Sequence, residues 1–271
     1  IKDIGMRIQK VSAGRGAAWV NESIGLLKTG GKDVWVPALL IGILSSLPYL
    51  GAALGLVMIL FYAGLVLCFD NPNGGYSVFS GFSDGGIGRL LPLIALNIGL
   101  AVIALLVLWP SMQPMVEAAM TGVTPGEDEA LAMLSSLAKH MLWLIPLGIF
   151  LSWITQFAVP LASLKRVSGG EAITLALRAI GANIPALIIN FLCLMAVVIL
   201  TGIVLMIPIT LVSAAFAGSP MLANVLVIPL TALLSAVIIA LMCGNMLYAY
   251  REVFGEDAGH AEESKSSEVL L

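Results

Sequence analysis

Histidines, cysteines and paired carboxylates carry most acid–base, nucleophilic and metal chemistry in proteins, and in these 271 residues they are few and scattered. His140 and His260 are the only histidines. They are far apart in the chain and neither opens a His-Glu-x-x-His run, so no spacing for metal ligation is present. Cys68, Cys193 and Cys243 lie in apolar runs, where a free thiol behaves as a small hydrophobe. Ser80-Gly81 superficially resembles a serine nucleophile turn, but position 78 is Val where that turn needs Gly. Gly85-Gly86-Ile87-Gly88-Arg89 offers backbone N–H groups that could cradle a phosphate, with Arg89 as a candidate contact for a lipid headgroup. The run lacks the strand and the Lys-Ser/Thr pair of a nucleotide loop, and a flexible break between two helices is the favoured reading. Gly14-Arg15-Gly16 is read in the same way. No catalytic residue, cofactor or metal is expected.

Uncharged polar groups remain as candidates for a solute path. Asn97, Gln113, Gln156 and Asn190 are the larger ones in or near apolar stretches, with hydroxyls at Thr155, Thr201, Thr210 and Ser235. Such groups commonly bond to neighbouring helices, at about 0.6 kcal/mol each, so packing is favoured over permeation. Gly51-Ala-Ala-Leu-Gly55 is a close-approach motif of the same kind. Pro208 and Pro229 interrupt long apolar runs; broken helices at depth can form sites, although Pro is also tolerated in ordinary membrane helices.

The elements that must position these groups follow from composition. The chain is 59% hydrophobic and 11% charged, against roughly 25% charged in a soluble domain, and its mean hydropathy is +1.03. That is a multi-pass membrane protein. Thirteen basic against 16 acidic residues leave a net charge of −3, which excludes an extended nucleic-acid surface. No charge falls within 34–69, 90–116, 140–164 or 179–250. The first gap divides at Leu47-Pro48-Tyr49 and Gly51, and the last at Ala217-Gly218-Ser219-Pro220. Six helical spans are therefore predicted, at about 34–49, 50–69, 90–113, 141–163, 184–216 and 222–250, by analogy with the ~20 residues that cross a bilayer. With both termini cytoplasmic, every one of the 13 basic residues except Lys139 lies inside. The same placement makes the glycosylation pattern Asn21-Glu22-Ser23 irrelevant.

Internal repetition refines this outline. Segments 19–40, 76–96 and 171–189 can be laid over one another, each a short amphipathic stretch, a Gly-containing break and a proline, at Pro37, Pro92 and Pro185. Each proline is expected in the first turn of a span. Val20, Ile24 and Leu27 match the spacing of Ile173, Leu177 and Ile180, while Phe79 and Phe82 form a shorter version. Ser168 and Glu171 fit a capping box. The expected fold is all-α and integral to the membrane: three helical hairpins, each preceded by a short interfacial helix on the cytoplasmic face. The competing reading is that amphipathic and turn composition alone produce the likeness. Segment 1–33 is then a cytoplasmic lead with its amphipathic helix, 34–254 the six-helix membrane domain, and 255–271 an acidic, disordered cytoplasmic tail. Thr124-Pro125-Gly126-Glu127 predicts the start of a further amphipathic helix, on the outer surface.

The run Val11-Ser-Ala-Gly-Arg-Gly-Ala-Ala-Trp19, the amphipathic segment behind it and Val78-Phe-Ser-Gly-Phe82 resemble an uncharacterised proteobacterial inner-membrane family known by a Burkholderia locus tag beginning BPSS. The layout is also similar to the YciC-like proteins and to the membrane domain attached to some glycerophosphodiester phosphodiesterases. The likeness runs through Phe254, and Pro48 and Gly51 agree with the family's first hairpin turn; the acidic 127–129 connection and the tail lie outside it. It implies a bacterial cytoplasmic membrane, no catalytic residues and no established substrate. The expected function is that of a non-enzymatic inner-membrane component that organises membrane lipids or partner proteins, or copies of itself, through its interfacial helices. The alternative is a permease or channel subunit for a small or amphipathic solute.

Overall fold

The computed structural model describes residues 7–47, 50–83, 85–122 and 126–255. The turn expected at Pro48, the capping pair Thr124-Pro125 and the acidic tail from 256 lie outside them. Among the described residues the chain is helical throughout: α1 (Arg15–Thr29), α2 (Gly31–Ser46), α3 (Leu50–Asp70), a 3-10 turn (Ser80–Phe82), α4 (Gly86–Thr121), α5 (Glu127–Leu164), α6 (Gly169–Ala215) and α7 (Pro220–Phe254). Portions of α4, α5, α6 and α7 are each long and apolar enough to cross a membrane. This is a membrane protein.

Local sequence explains where the helices start and stop. Gly30 separates α1 from α2, and Gly31 follows with φ 53°, a conformation that an L side chain adopts only at a cost. Gly85 precedes α4 with φ 72°. Ser168 caps α6, its Oγ accepting the Glu171 N–H at 3.4 Å. Pro220 opens α7, where its missing N–H is no loss, and Gly255 closes it at φ 81°.

The repeated segments differ in detail from their sequence reading. The first is a separate helix, α1. The second is the 3-10 turn, and the third is continuous with its span as the first part of α6, which breaks at Asn183 (φ −128°, ψ 22°). The prolines do not open their helices. Pro37 and Pro92 are both the seventh residue of their helix and Pro185 follows the Asn183 break by two. A proline inside a helix removes one backbone hydrogen bond; α2 and α4 run on through theirs, and α6 breaks at Asn183, two residues before its own. The further amphipathic helix expected from Glu127 is likewise fused into α5, which runs from Glu127 for 38 residues.

Packing relies on small residues. Gly42 of α2 lies against the Ala232 carbonyl of α7, Gly16 of α1 against the Ala186 carbonyl of α6, and Gly64 of α3 against the Val78 carbonyl. Helix α7 touches α1, α2, α3, α5 and α6, and α3 and α5 also touch each other. Two apolar clusters result, one around Trp19, Phe157, Leu187 and Tyr250, the other around Ile41, Leu65, Ala240 and Leu247. Large apolar side chains on α4, α5 and α6 face outward, among them Val102, Leu106, Leu142 and Ile203. That suits a lipid solvent.

Candidate functional site

Polar interactions gather at the end of the bundle where α3 and α5 stop and α4 begins. The carboxylate of Glu252, near the end of α7, accepts two hydrogen bonds from α1, from Arg15 Nε and from Trp19 Nε1, each at 2.6 Å. Arg15 also pairs with Glu22 at 3.2 Å. The Glu252 hydrogen bond raises the Arg15 pKa above its ordinary value. Trp19 is fully buried and seats α1 against α6 and α7. One residue earlier on α7, Arg251 binds Asp70 of α3 at 2.7 Å.

A second clamp holds the segment before α1. Asn183, fully buried at the break in α6, accepts the Val11 N–H at 2.8 Å and donates from Nδ2 to the Gln9 carbonyl at 3.0 Å and to the Ala179 carbonyl at 3.1 Å. The Gln9 N–H donates in turn to the Val253 carbonyl at 2.8 Å. An amide side chain thus takes the place of a neighbouring strand for residues 9–11.

Beside these clamps lies a cavity of about 460 Å³, rich in polar groups. Asp70 and Asn71 enter it from the end of α3, Tyr76, Ser80 and Ser83 from the connecting loop, Arg89 from α4, and Ser163 and Arg166 from the end of α5. Arg166 is, among the described residues, the one non-glycine with positive φ, at 55°. Left-handed backbone at such a residue costs about 1–2 kcal/mol. An apolar groove of about 330 Å³ adjoins the cavity and shares Tyr76 with it, its other walls including Val36, Leu40, Val78 and Phe79, with Lys32 and Asp33 among its lining residues.

The polar residues singled out in the sequence are not brought to one place. Arg89 lines the polar cavity. Gln156 and Asn190 come together, 5% and 2% exposed, with Asn190 Nδ2 3.5 Å from Gln156 Oε1, while Gln156 Nε2 and Asn190 Oδ1 have no hydrogen-bond partner among the described residues. Asn97 donates to the Leu93 carbonyl of its own helix, and Gln113 is exposed and bonded to Glu117 at 2.8 Å. The Gly51–Gly55 motif falls within α3, but the side chains of 50–54 lie outside the described residues. Near the other end of α4 and α5, His140 Nδ1 stands 3.1 Å from Ser111 Oγ and 2.8 Å from the Ser136 carbonyl. A carbonyl only accepts, so that nitrogen carries the proton and has no lone pair with which to activate Ser111.

Three features escaped the sequence reading: Asn183, Glu252 and Arg166. Only Arg166 had a local signal, following Lys165 directly after an apolar span. No protein family, curated protein or solved structure matches the chain.

Proposed function

We propose that this chain is a non-enzymatic bacterial inner-membrane protein that organises lipids or partner proteins from a rigid cytoplasmic platform built of its interfacial segments. The observation that carries this reading is the double clamp of Glu252 and Asn183, which fixes α1 and residues 9–11 to the ends of the spans. A segment that only floated on lipid would need neither.

Six spans in three hairpins underlie the platform. Supporting this, each pair α2 with α3, α4 with α5 and α6 with α7 is in contact, the second members α3, α5 and α7 all touch one another, and each second member touches the first member of the following pair, with α7 returning to α2. That is the contact pattern of a threefold repeat closed into a ring. Trp109 and Trp143, 48% and 81% exposed, suit an outer aromatic belt. About 20 residues inward from each, or ~30 Å of helix, stand Arg89 on α4 and Ser163 and Lys165 at the end of α5. The basic residues then lie inside, as the charge rule requires. The resemblance of 11–19 and 78–82 to a proteobacterial inner-membrane family agrees with this placement.

Photocrosslinkers placed at the exposed Asn21 and Lys28 of α1 in native membranes test the reading. Reproducible capture of a lipid or a defined protein, a second copy included, is expected. Recovery of the bare monomer alone would contradict it.

A second reading, a permease or channel subunit for a small or amphipathic solute, is favoured by Gln156 and Asn190. Two orphaned buried polar atoms cost about 1–3 kcal/mol each, more than the ~0.6 kcal/mol that an interhelical membrane hydrogen bond returns. Stability therefore does not account for the pair. Replacing both by Leu would abolish flux in proteoliposomes on this reading and leave crosslinking from α1 intact on the first.

A further inference from the structure

We propose that the polar cavity and its adjoining groove form one binding site for an anionic glycerophospholipid, the phosphate held between Arg89 and Arg166 and one acyl chain laid along Val36, Leu40 and Phe79. The assignment rests on the platform reading above and names its ligand.

Charge complementarity selects the headgroup. Arg89 of α4 and Arg166 of the α5–α6 link line the same space, and guanidinium groups match phosphate oxygens in geometry as well as charge. Among the described residues Asp70 is the acidic group of the lining, and it is paired with Arg251 at 2.7 Å. Its volume of about 460 Å³ lies within the roughly 300–1,000 Å³ of small-ligand sites.

Backbone strain marks the same place. Arginine is a poor choice for the left-handed conformation at 166, where glycine or asparagine would fit without the penalty. A costly residue at that position is explained if its guanidinium serves a ligand.

The groove distinguishes lipid from a soluble phosphate compound. It opens beside the cavity, Tyr76 forms part of both walls, and Val36, Leu40 and Phe79 are exposed within it, 63%, 40% and 50% respectively. A soluble phosphate ester would use the cavity and leave this apolar surface bare. A diacyl phosphate ester covers both.

The full-length protein in nanodiscs of equal parts phosphatidylglycerol and phosphatidylcholine tests the assignment, with retained lipid read by native mass spectrometry. Wild type is expected to retain phosphatidylglycerol in preference. The double variant Arg89→Gln with Arg166→Gln should lose that preference by about tenfold or more, equivalent to ~1.4 kcal/mol. Arg166→Gly should also weaken it while melting no lower than wild type, because glycine suits the backbone there. Arg178→Gln, an exposed charge outside the cavity, should retain it. Equal retention by all four proteins would overturn the proposal. So would glycerol phosphate binding in discs of phosphatidylcholine alone with no phosphatidylglycerol preference, which would assign the cavity to a soluble phosphate compound. Failure of the platform reading is separately visible, as loss of crosslinking from Asn21 and Lys28 with lipid preference unchanged.

Discussion

Asn183 and Glu252 each hold chain segments that are remote in sequence. Truncating Asn183→Ala removes the partner of the part-buried Val11 N–H and Gln9 carbonyl, and each lost hydrogen bond costs about 0.5–1.5 kcal/mol. Trypsin should then cut after the exposed Lys10 much faster than in wild type, while the rest of the bundle stays protected. Glu252→Gln keeps one acceptor oxygen but turns an N–H donor toward either Arg15 or Trp19, and a hydrogen bond involving a charged group is worth roughly 1.5–3 kcal/mol. A thermal melt in detergent should fall accordingly, and Asp70→Asn should act in the same direction at Arg251. Neither Asn183 nor Glu252 was legible in the sequence. Asn183 reads as one more polar residue two before a proline, and the Gln9 and Val11 that it clamps stand more than 170 positions away. Arg89 was legible because it follows a glycine run at the edge of an apolar span, where lipid physics alone makes a basic residue conspicuous.

Helices show the same division between what acts locally and what depends on contact. Caps and breaks were readable: Ser168 with Glu171 starts α6, Pro220 starts α7, and Gly30 separates α1 from α2. Whether an amphipathic stretch stays separate from its span was not, because fusion costs only a bend. The chain makes each choice once, with a free helix at α1, a short turn at 80–82 and a kink at Asn183. Nor did spacing reveal which glycines touch. A Cβ on Gly42 would strike the Ala232 carbonyl, whereas one on Gly99 or Gly148 meets nothing within 4 Å. Gly42→Ala should therefore destabilise by about 1–3 kcal/mol through forced separation of α2 from α7. Gly99→Ala should be neutral or stabilise by roughly 0.5–1 kcal/mol, the ordinary gain of alanine over glycine in a helix. Opposite signs in paired melts check both expectations; a lower melt for Gly99→Ala would show that the α4 surface is covered by a partner.

At the scale of the whole molecule, the charge-free runs announced a membrane protein because the bilayer acts on each side chain separately. The arrangement of the helices was only partly visible, since it is set by small-residue contacts such as Gly42 with Ala232 and Gly16 with Ala186. We propose that six spans hold the clamped segments and the Arg89 and Arg166 cavity on the cytoplasmic side, and carry the far ends of α4 and α5 beyond the outer face. Single-cysteine labelling in intact and opened cells, with Cys68, Cys193 and Cys243 first replaced, tests that claim most directly. Cysteine at the exposed Met120 should react with a membrane-impermeant reagent in intact cells, and cysteine at Ser12 or Lys165 only after the cells are opened. Labelling of Ser12 or Lys165 in intact cells, with Met120 protected, would contradict it.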